Sequence, residues 1–219
     1  MPALTEAVKT QAAEKRAPSW LGPPLTTLRE PAFNAACARL MRLVESGFTP
    51  TLIVGIRTGG LAVAQAMGRA ASADLPVLAI TCQRASTAAK SRFPLLRLLL
   101  RALPRPLVDA LRRLEHQFLV MSRTRKPPRR IVDHAEAAAI AATLKDTPAP
   151  RVLIADDAVD SGATLLTVLQ ALRAVCPRGT EFRSAAITQT QEHPAAQPDY
   201  VLHRGVLCRF PWSFDAARG

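Results

Sequence analysis

Val152-Leu153-Ile154-Ala155-Asp156-Asp157-Ala158-Val159-Asp160-Ser161-Gly162-Ala163-Thr164 decides the fold. Four apolar residues run straight into two adjacent carboxylates and then into a turn of small residues. The apolar run suits a strand buried on both faces of a parallel sheet, and the spacing of Leu165, Leu166, Val168, Leu169 and Leu172 suits a helix packed on that sheet. The turn therefore joins a strand end to a helix start, where unpaired backbone N–H groups form a seat for an anion. Ser161, Gly162, Ala163 and Thr164 keep that seat open: glycine lets the backbone approach closely, and the two hydroxyls add donors.

Outward from this unit the pattern repeats. Thr51-Leu52-Ile53-Val54-Gly55-Ile56 is a second buried-strand pattern, followed by Arg57-Thr58-Gly59-Gly60 and an alanine-rich helix over 61–71. Adjacent glycines expose consecutive N–H groups and Arg57 supplies a cation, a combination that suits a diphosphate. The neighbouring carboxylates Asp156 and Asp157 repel one another unless a cation, a lysine or donor hydroxyls stand between them. A sugar diol with a magnesium ion nearby would serve.

Together these residues resemble the phosphoribosyl-diphosphate (PRPP) signature of the type I phosphoribosyltransferases, which 152–164 matches at nearly every position. The resemblance implies an α/β fold with a central, mainly parallel sheet flanked by helices. It implies that Asp156 and Asp157 hold the ribose hydroxyls and magnesium, that Asp160, Ser161, Gly162, Ala163 and Thr164 bind the 5′-phosphate, and that Arg57, Thr58, Gly59 and Gly60 bind pyrophosphate. Asp160 is the candidate base for the acceptor N–H by the same likeness; the alternative is that it orders the phosphate loop. The ending from Asp199-Tyr200-Val201 to Phe210-Pro211-Trp212 is partly similar to bacterial xanthine-guanine phosphoribosyltransferases. It departs from them in two places. Leu207 falls where a purine-stacking aromatic is expected, and Gln189-Thr190-Gln191 stands where those enzymes carry a lysine that reads the 6-oxo group. Gln189, Leu207, Phe210 and Trp212 are the resulting acceptor candidates.

The remaining chain is read around this frame. Residues 1–30 form an N-terminal arm and 31–219 one domain, with a helix over 32–45, strands over 77–81, 183–189, 199–203 and 206–210, a helix over 133–145, and a small C-terminal hood over 190–219. The length suits one α/β domain with decoration. Cys37, Cys82, Cys176 and Cys208 have no paired spacing and suggest neither a zinc site nor a disulfide framework. His134 has no partner at ligand spacing. No apolar run reaches the length of a membrane span and the start of the chain has no signal-peptide pattern, so a cytoplasmic location is expected.

The net charge of +12 is local. Residues 84–130 hold 13 Lys and Arg against Asp109 and Glu115, which leaves the rest of the chain nearly neutral. Family members have a mobile loop or short hairpin at this place, whereas this chain has an insert over 83–130 with room for two helices, at 93–103 and 107–121. A helical hairpin packed on the core or on a second subunit, a membrane surface, RNA or DNA, and a lid gathering phosphates are its candidate tasks. The expected activity is transfer of ribose 5-phosphate from PRPP to a nitrogen acceptor, a purine-like nucleobase first, as in purine salvage, with magnesium. The alternatives are a PRPP-sensing regulator that binds nucleic acid through the insert, and a specialised phosphoribosyltransferase with a non-nucleobase acceptor. A homodimer is common in this fold.

Overall fold

The structure is a computed structural model and describes residues 23–84 and 130–213. The expected helices at 93–103 and 107–121, and most of the expected arm, lie outside the described residues. In chain order the elements are β1 (Leu25–Thr27), α1 (Glu30–Glu45), β2 (Leu52–Ile56), α2 (Gly59–Ala70), β3 (Val77–Ile80), β4 (Cys82–Arg84), β5 (Arg130–Val132), α3 (His134–Thr143), β6 (Arg151–Val159), α4 (Ala163–Val175), β7 (Glu181–Gln189), β8 (Tyr200–Arg204) and β9 (Leu207–Arg209).

Five strands form the central sheet in the order β3-β2-β6-β7-β8, every neighbouring pair parallel. Alternation along the strands sends side chains to two separate cores. Ile53, Leu153, Ala155, Ala185 and Ile187 pack against α1 and α2, where Leu40, Met41, Val44, Val63 and Met67 are buried. Leu52, Val54, Val152, Ile154 and Ala186 face the other way, onto α3 and α4, where Ile140, Leu165, Val168 and Leu172 are buried. This is why β2 reads as a continuous apolar run. Both its faces are covered.

From β2 the chain moves to β3 on one side, then crosses back to β6 and proceeds through β7 to β8 on the other. The order of the strands reverses between β2 and β6, and open α/β sheets bind ligands in the crevice at such a point. The loops 57–60 and 160–162 both leave the sheet there.

Several boundaries differ from the sequence reading. β6 does not stop before the acidic pair but continues to Val159, because β7 runs beside it and pairs Asp156 with Ala186, Ala158 with Thr188 and Val159 with Gln189. Helix α2 starts at Gly59 rather than after the glycines, which places Gly59 and Gly60 in its first turn. Residues 25–27, read as part of an arm, form β1 and pair in parallel with β9, so the two ends of the described chain meet. The late strands divide: β8 is the edge of the main sheet, while β9 leaves it for β1. Finally, β4 and β5 form an antiparallel ribbon in which Cys82, Gln83 and Arg84 pair with Val132, Ile131 and Arg130. No helix among the described residues is long and apolar enough to cross a membrane.

Candidate active site

The loop after β6 is shaped by Gly162. Its φ of 69° is left-handed, and a Cβ there would lie 2.5 Å from both the backbone N and O of Ala196, so any other residue is excluded by conformation and by space. Gly162 is the N-cap of α4, which has no side-chain cap and no acidic residue in its first turn. The N-cap of α2, Thr58, likewise makes no side-chain cap, and that first turn also lacks an acid. Helix α3 differs: Asp133 Oδ1 accepts from the N–H groups of Ala135 and Glu136 at 2.9 and 3.1 Å. Of these three helices, the two that start at the strand-order reversal have N–H groups not claimed by a side-chain cap, which is where an anion binds best. A cavity of about 140 Å³ lies at the start of α4, lined by Asp156, Asp160, Ser161, Gly162 and Thr164 together with Arg130.

The two loops touch through glycine. A Cβ on Gly59 would collide with the Asp157 carboxylate, and one on Gly60 would lie 2.6 Å from the Ala155 carbonyl oxygen and 3.0 Å from Asp156 Oδ1. Gly55, in β2, is needed for the same packing: its Cβ would stand 2.6 Å from Leu61 Cα and 2.9 Å from the Gly60 carbonyl oxygen. The Arg57–Thr58 peptide bond is cis. Arg57 is tied down at its side chain, with Nη2 donating to Glu136 Oε1 at 2.9 Å and Nε to Thr81 Oγ1 at 3.2 Å.

Burial is the main force on the acidic pair and pushes both carboxyls up; the charge of Asp157 adds to the rise at Asp156, while Arg130 opposes it. For Asp157, hydrogen bonds from Asp156, from backbone N–H groups and from the Trp212 side chain pull the other way. Asp157 N–H donates to Asp156 Oδ1 and Ala158 N–H to Asp157 Oδ1, each at 3.0 Å. Two crowded carboxylates whose ionised forms are disfavoured fit a divalent cation. Among the described residues no group of three or more His, Cys, Asp or Glu could hold a metal. The pair therefore fits magnesium that takes most of its ligands from substrate phosphates and water, a common arrangement for that ion.

Asp160 points to the strap that leads from β7 to β8. One oxygen, Oδ1, accepts from Thr190 Oγ1 at 2.7 Å and from Gln191 Nε2 at 2.6 Å. The strap also lies on the phosphate loop, with Ala195 N–H donating to the Ser161 carbonyl at 2.8 Å. Gln189, an acceptor candidate from the sequence, is turned into the fold: 2% exposed, it donates to the carbonyls of Gln191 and Glu192 and accepts from Arg204 Nη1 at 2.6 Å.

The aromatic candidates are brought together. Phe210 and Trp212 stack with ring centroids 5.1 Å apart and 2° between planes, and Phe33 of α1 meets Trp212 edge-on at 5.2 Å. Phe210 is buried, while Trp212 is 41% exposed, with its side chain near the Asp157 carboxylate. Cys208 packs on the core, where burial pushes its thiol up to about 11. Its neighbour Leu207 pairs with Leu25 in the β1–β9 sheet.

Two residues that sequence reasoning did not nominate stand at this site. Arg130 lines the cavity at the start of α4, and Glu136 holds Arg57. Glu136 is 79 positions from Arg57, so no spacing pattern signals the pair.

A family model described as a phosphoribosyl transferase domain matches residues 26–216. No curated protein matches the sequence. Among solved structures, the purine phosphoribosyltransferase of Pyrococcus horikoshii Ot3 is similar with a TM-score of 0.54 at 17% identity, over 86% of this chain and 94% of that one. The xanthine-guanine-hypoxanthine phosphoribosyltransferase of Helicobacter pylori is similar with a TM-score of 0.51 at 16% identity, over 86% and 92%. A hypothetical protein of Neisseria gonorrhoeae with bound ppGpp gives a TM-score of 0.54 at 13% identity, over 90% and 92%. At these identities the likeness is one of fold.

Proposed function

The chain belongs to the type I phosphoribosyltransferase family and is a transferase, and from that premise we propose that it moves ribose 5-phosphate from PRPP to a ring nitrogen of a purine-like base and releases pyrophosphate. The observation that carries the reading is the meeting of two uncapped helix starts and an acidic pair at one crevice, between β2 and β6. PRPP presents the matching chemistry: a monophosphate at one end, a diphosphate at the other, and a diol between them.

The residues divide the work as follows. Asp160, Ser161, Gly162, Ala163 and Thr164 take the 5′-phosphate, with the first-turn N–H groups of α4 as donors. Asp156 and Asp157 take the ribose hydroxyls and would hold magnesium. Bound there, the ion would neutralise charge on the departing diphosphate. Arg57, Thr58, Gly59 and Gly60 meet that group with a guanidinium and with N–H groups. Breaking the bond at the anomeric carbon leaves an oxocarbenium-like sugar. The protein's contribution is to hold both ends of the donor rigid while the acceptor approaches the opposite face. Asp160 accepts two hydrogen bonds on one oxygen from the strap, which supports an ordering role: it fastens the phosphate loop to the segment that borders the acceptor.

For the acceptor, the partial exposure of Trp212 beside the acidic pair, in an aromatic group with Phe210 and Phe33, supports stacking on a flat ring. Two of the structural neighbours are named as purine and xanthine-guanine-hypoxanthine phosphoribosyltransferases, which supports a purine. The lysine that would read a 6-oxo group is replaced by Gln189-Thr190-Gln191, of which Gln189 and Gln191 are committed to internal hydrogen bonds. The test is magnesium-dependent pyrophosphate release from PRPP across a panel of purines and pyrimidines. We expect release with one purine and none from the Asp156→Asn/Asp157→Asn variant. PRPP binding without release on any base would overturn the nucleobase acceptor, and absence of PRPP binding would overturn the whole reading.

A further inference from the structure

Glu136 is the third residue of α3, and each of its carboxylate oxygens has a separate task. Oε1 accepts from Arg57 Nη2 at 2.9 Å; Oε2 accepts from the backbone N–H of Thr81 at 2.5 Å. Arg57 Nε closes the ring by donating to Thr81 Oγ1 at 3.2 Å. The backbone repeats the fastening, since Arg57 N–H donates to the Ile80 carbonyl and Asp133 N–H to the Thr81 carbonyl. Three segments are thereby joined: the loop after β2, the end of β3 and the start of α3.

A guanidinium is planar, so two fixed points fix its plane. The ring uses Nε–H and one N–H of Nη2, which leaves Nη1 and the second Nη2 hydrogen on the outer edge; the Arg57 side chain is 45% exposed against 25% for Glu136. Glu136 offers a diphosphate no donor, and both of its oxygens already accept from Arg57 and Thr81. We infer that Glu136 is a positioning residue for the leaving-group loop: it orders the Arg57 guanidinium before PRPP arrives, with the outer N–H edge open to the diphosphate. The inference rests on the transferase reading above. Ordering in advance matters for affinity, because a side chain already held in place loses less freedom when the ligand binds.

A merely structural ion pair at this exposure would change stability little and would leave PRPP affinity untouched. The discriminating experiment is calorimetric titration of the full chain with PRPP and magnesium, for the wild type, Glu136→Ala, Arg57→Ala and the double variant. Each single substitution is expected to weaken PRPP about 10-fold, the weight of one charge-assisted hydrogen bond, and the double variant no more than Arg57→Ala alone. Glu136→Gln guards against a folding defect. It keeps the shape, yet Arg57 and the Thr81 N–H face different carboxylate oxygens and the amide puts an acceptor at only one of those positions, so its affinity should fall between those of the wild type and Glu136→Ala. Wild-type affinity in Glu136→Ala, or losses that add in the double variant, would overturn the inference alone. A wild type that does not bind PRPP would overturn the transferase reading and this inference with it.

Discussion

Gly59→Ala is the smallest change that tests how the two anion loops share space. The new methyl group would fall on the Asp157 carboxylate, which accepts from the Ala158 N–H. PRPP binding should fall at least about 10-fold while folding stability falls by no more than roughly 1–3 kcal/mol, the cost of local overpacking, a split that titration and thermal melting resolve. A second residue-scale expectation concerns Cys37. Burial pushes its thiol up to about 12, so at pH 8 it is neutral as well as enclosed. Alkylation should be negligible in the native protein and rapid after unfolding; modification of Cys37 in the native state would contradict its burial. At this scale the sequence was legible where the local structure is contiguous. Asp156 and Asp157 lie late in β6 and Ser161 to Thr164 at the turn into α4, because strand, turn and helix follow one another along the chain. Glu136 and Arg130 are not legible in this way, since they reach the site by folding from positions far from the residues they meet.

Among the elements, α3 offers the sharpest test. Asp133 caps it by accepting two N–H groups, so Asp133→Ala should cost about 1 kcal/mol of stability, read as a lowered midpoint in urea. The same substitution loosens the first turn on which Glu136 sits, so PRPP affinity should decline alongside stability; an unchanged affinity would separate the cap from the ligand loop. The large elements were readable because apolar runs and 3.6-residue spacing are strong signals, and β2, α1 and α4 fall where the pattern puts them, as does the start of β6. The three-residue strands β1, β4, β5 and β9 were less so. A strand that short has no period of its own, and β1 and β9 exist only because each supplies the other's partner. The extension of β6 through two aspartates has the same origin: charge argues for a turn at that point, and eight paired registers with β7 outweigh it.

For the molecule as a whole, stability resides in the two cores around the sheet and charge resides elsewhere. Leu153, at 0% exposure in the first core, should cost about 2–5 kcal/mol when cut to alanine, with PRPP affinity restored whenever the protein is folded. The basic segment 85–129 should matter differently. Replacing it with a two-residue Asn-Gly turn between Arg84 and Arg130 should leave a cooperative melting transition, and loss of folding would place the segment inside the core. That substitution is possible because of the ribbon formed by β4 and β5, where Arg84 and Arg130 are direct partners. The chain departs from the fold and returns to it at adjacent points, so the ribbon acts as a socket. A segment joined there can change length and charge without re-threading the sheet, and its attachment point Arg130 lines the cavity at the start of α4. A chain built this way can accept a different segment at that point while the sheet and its crevice stay in place.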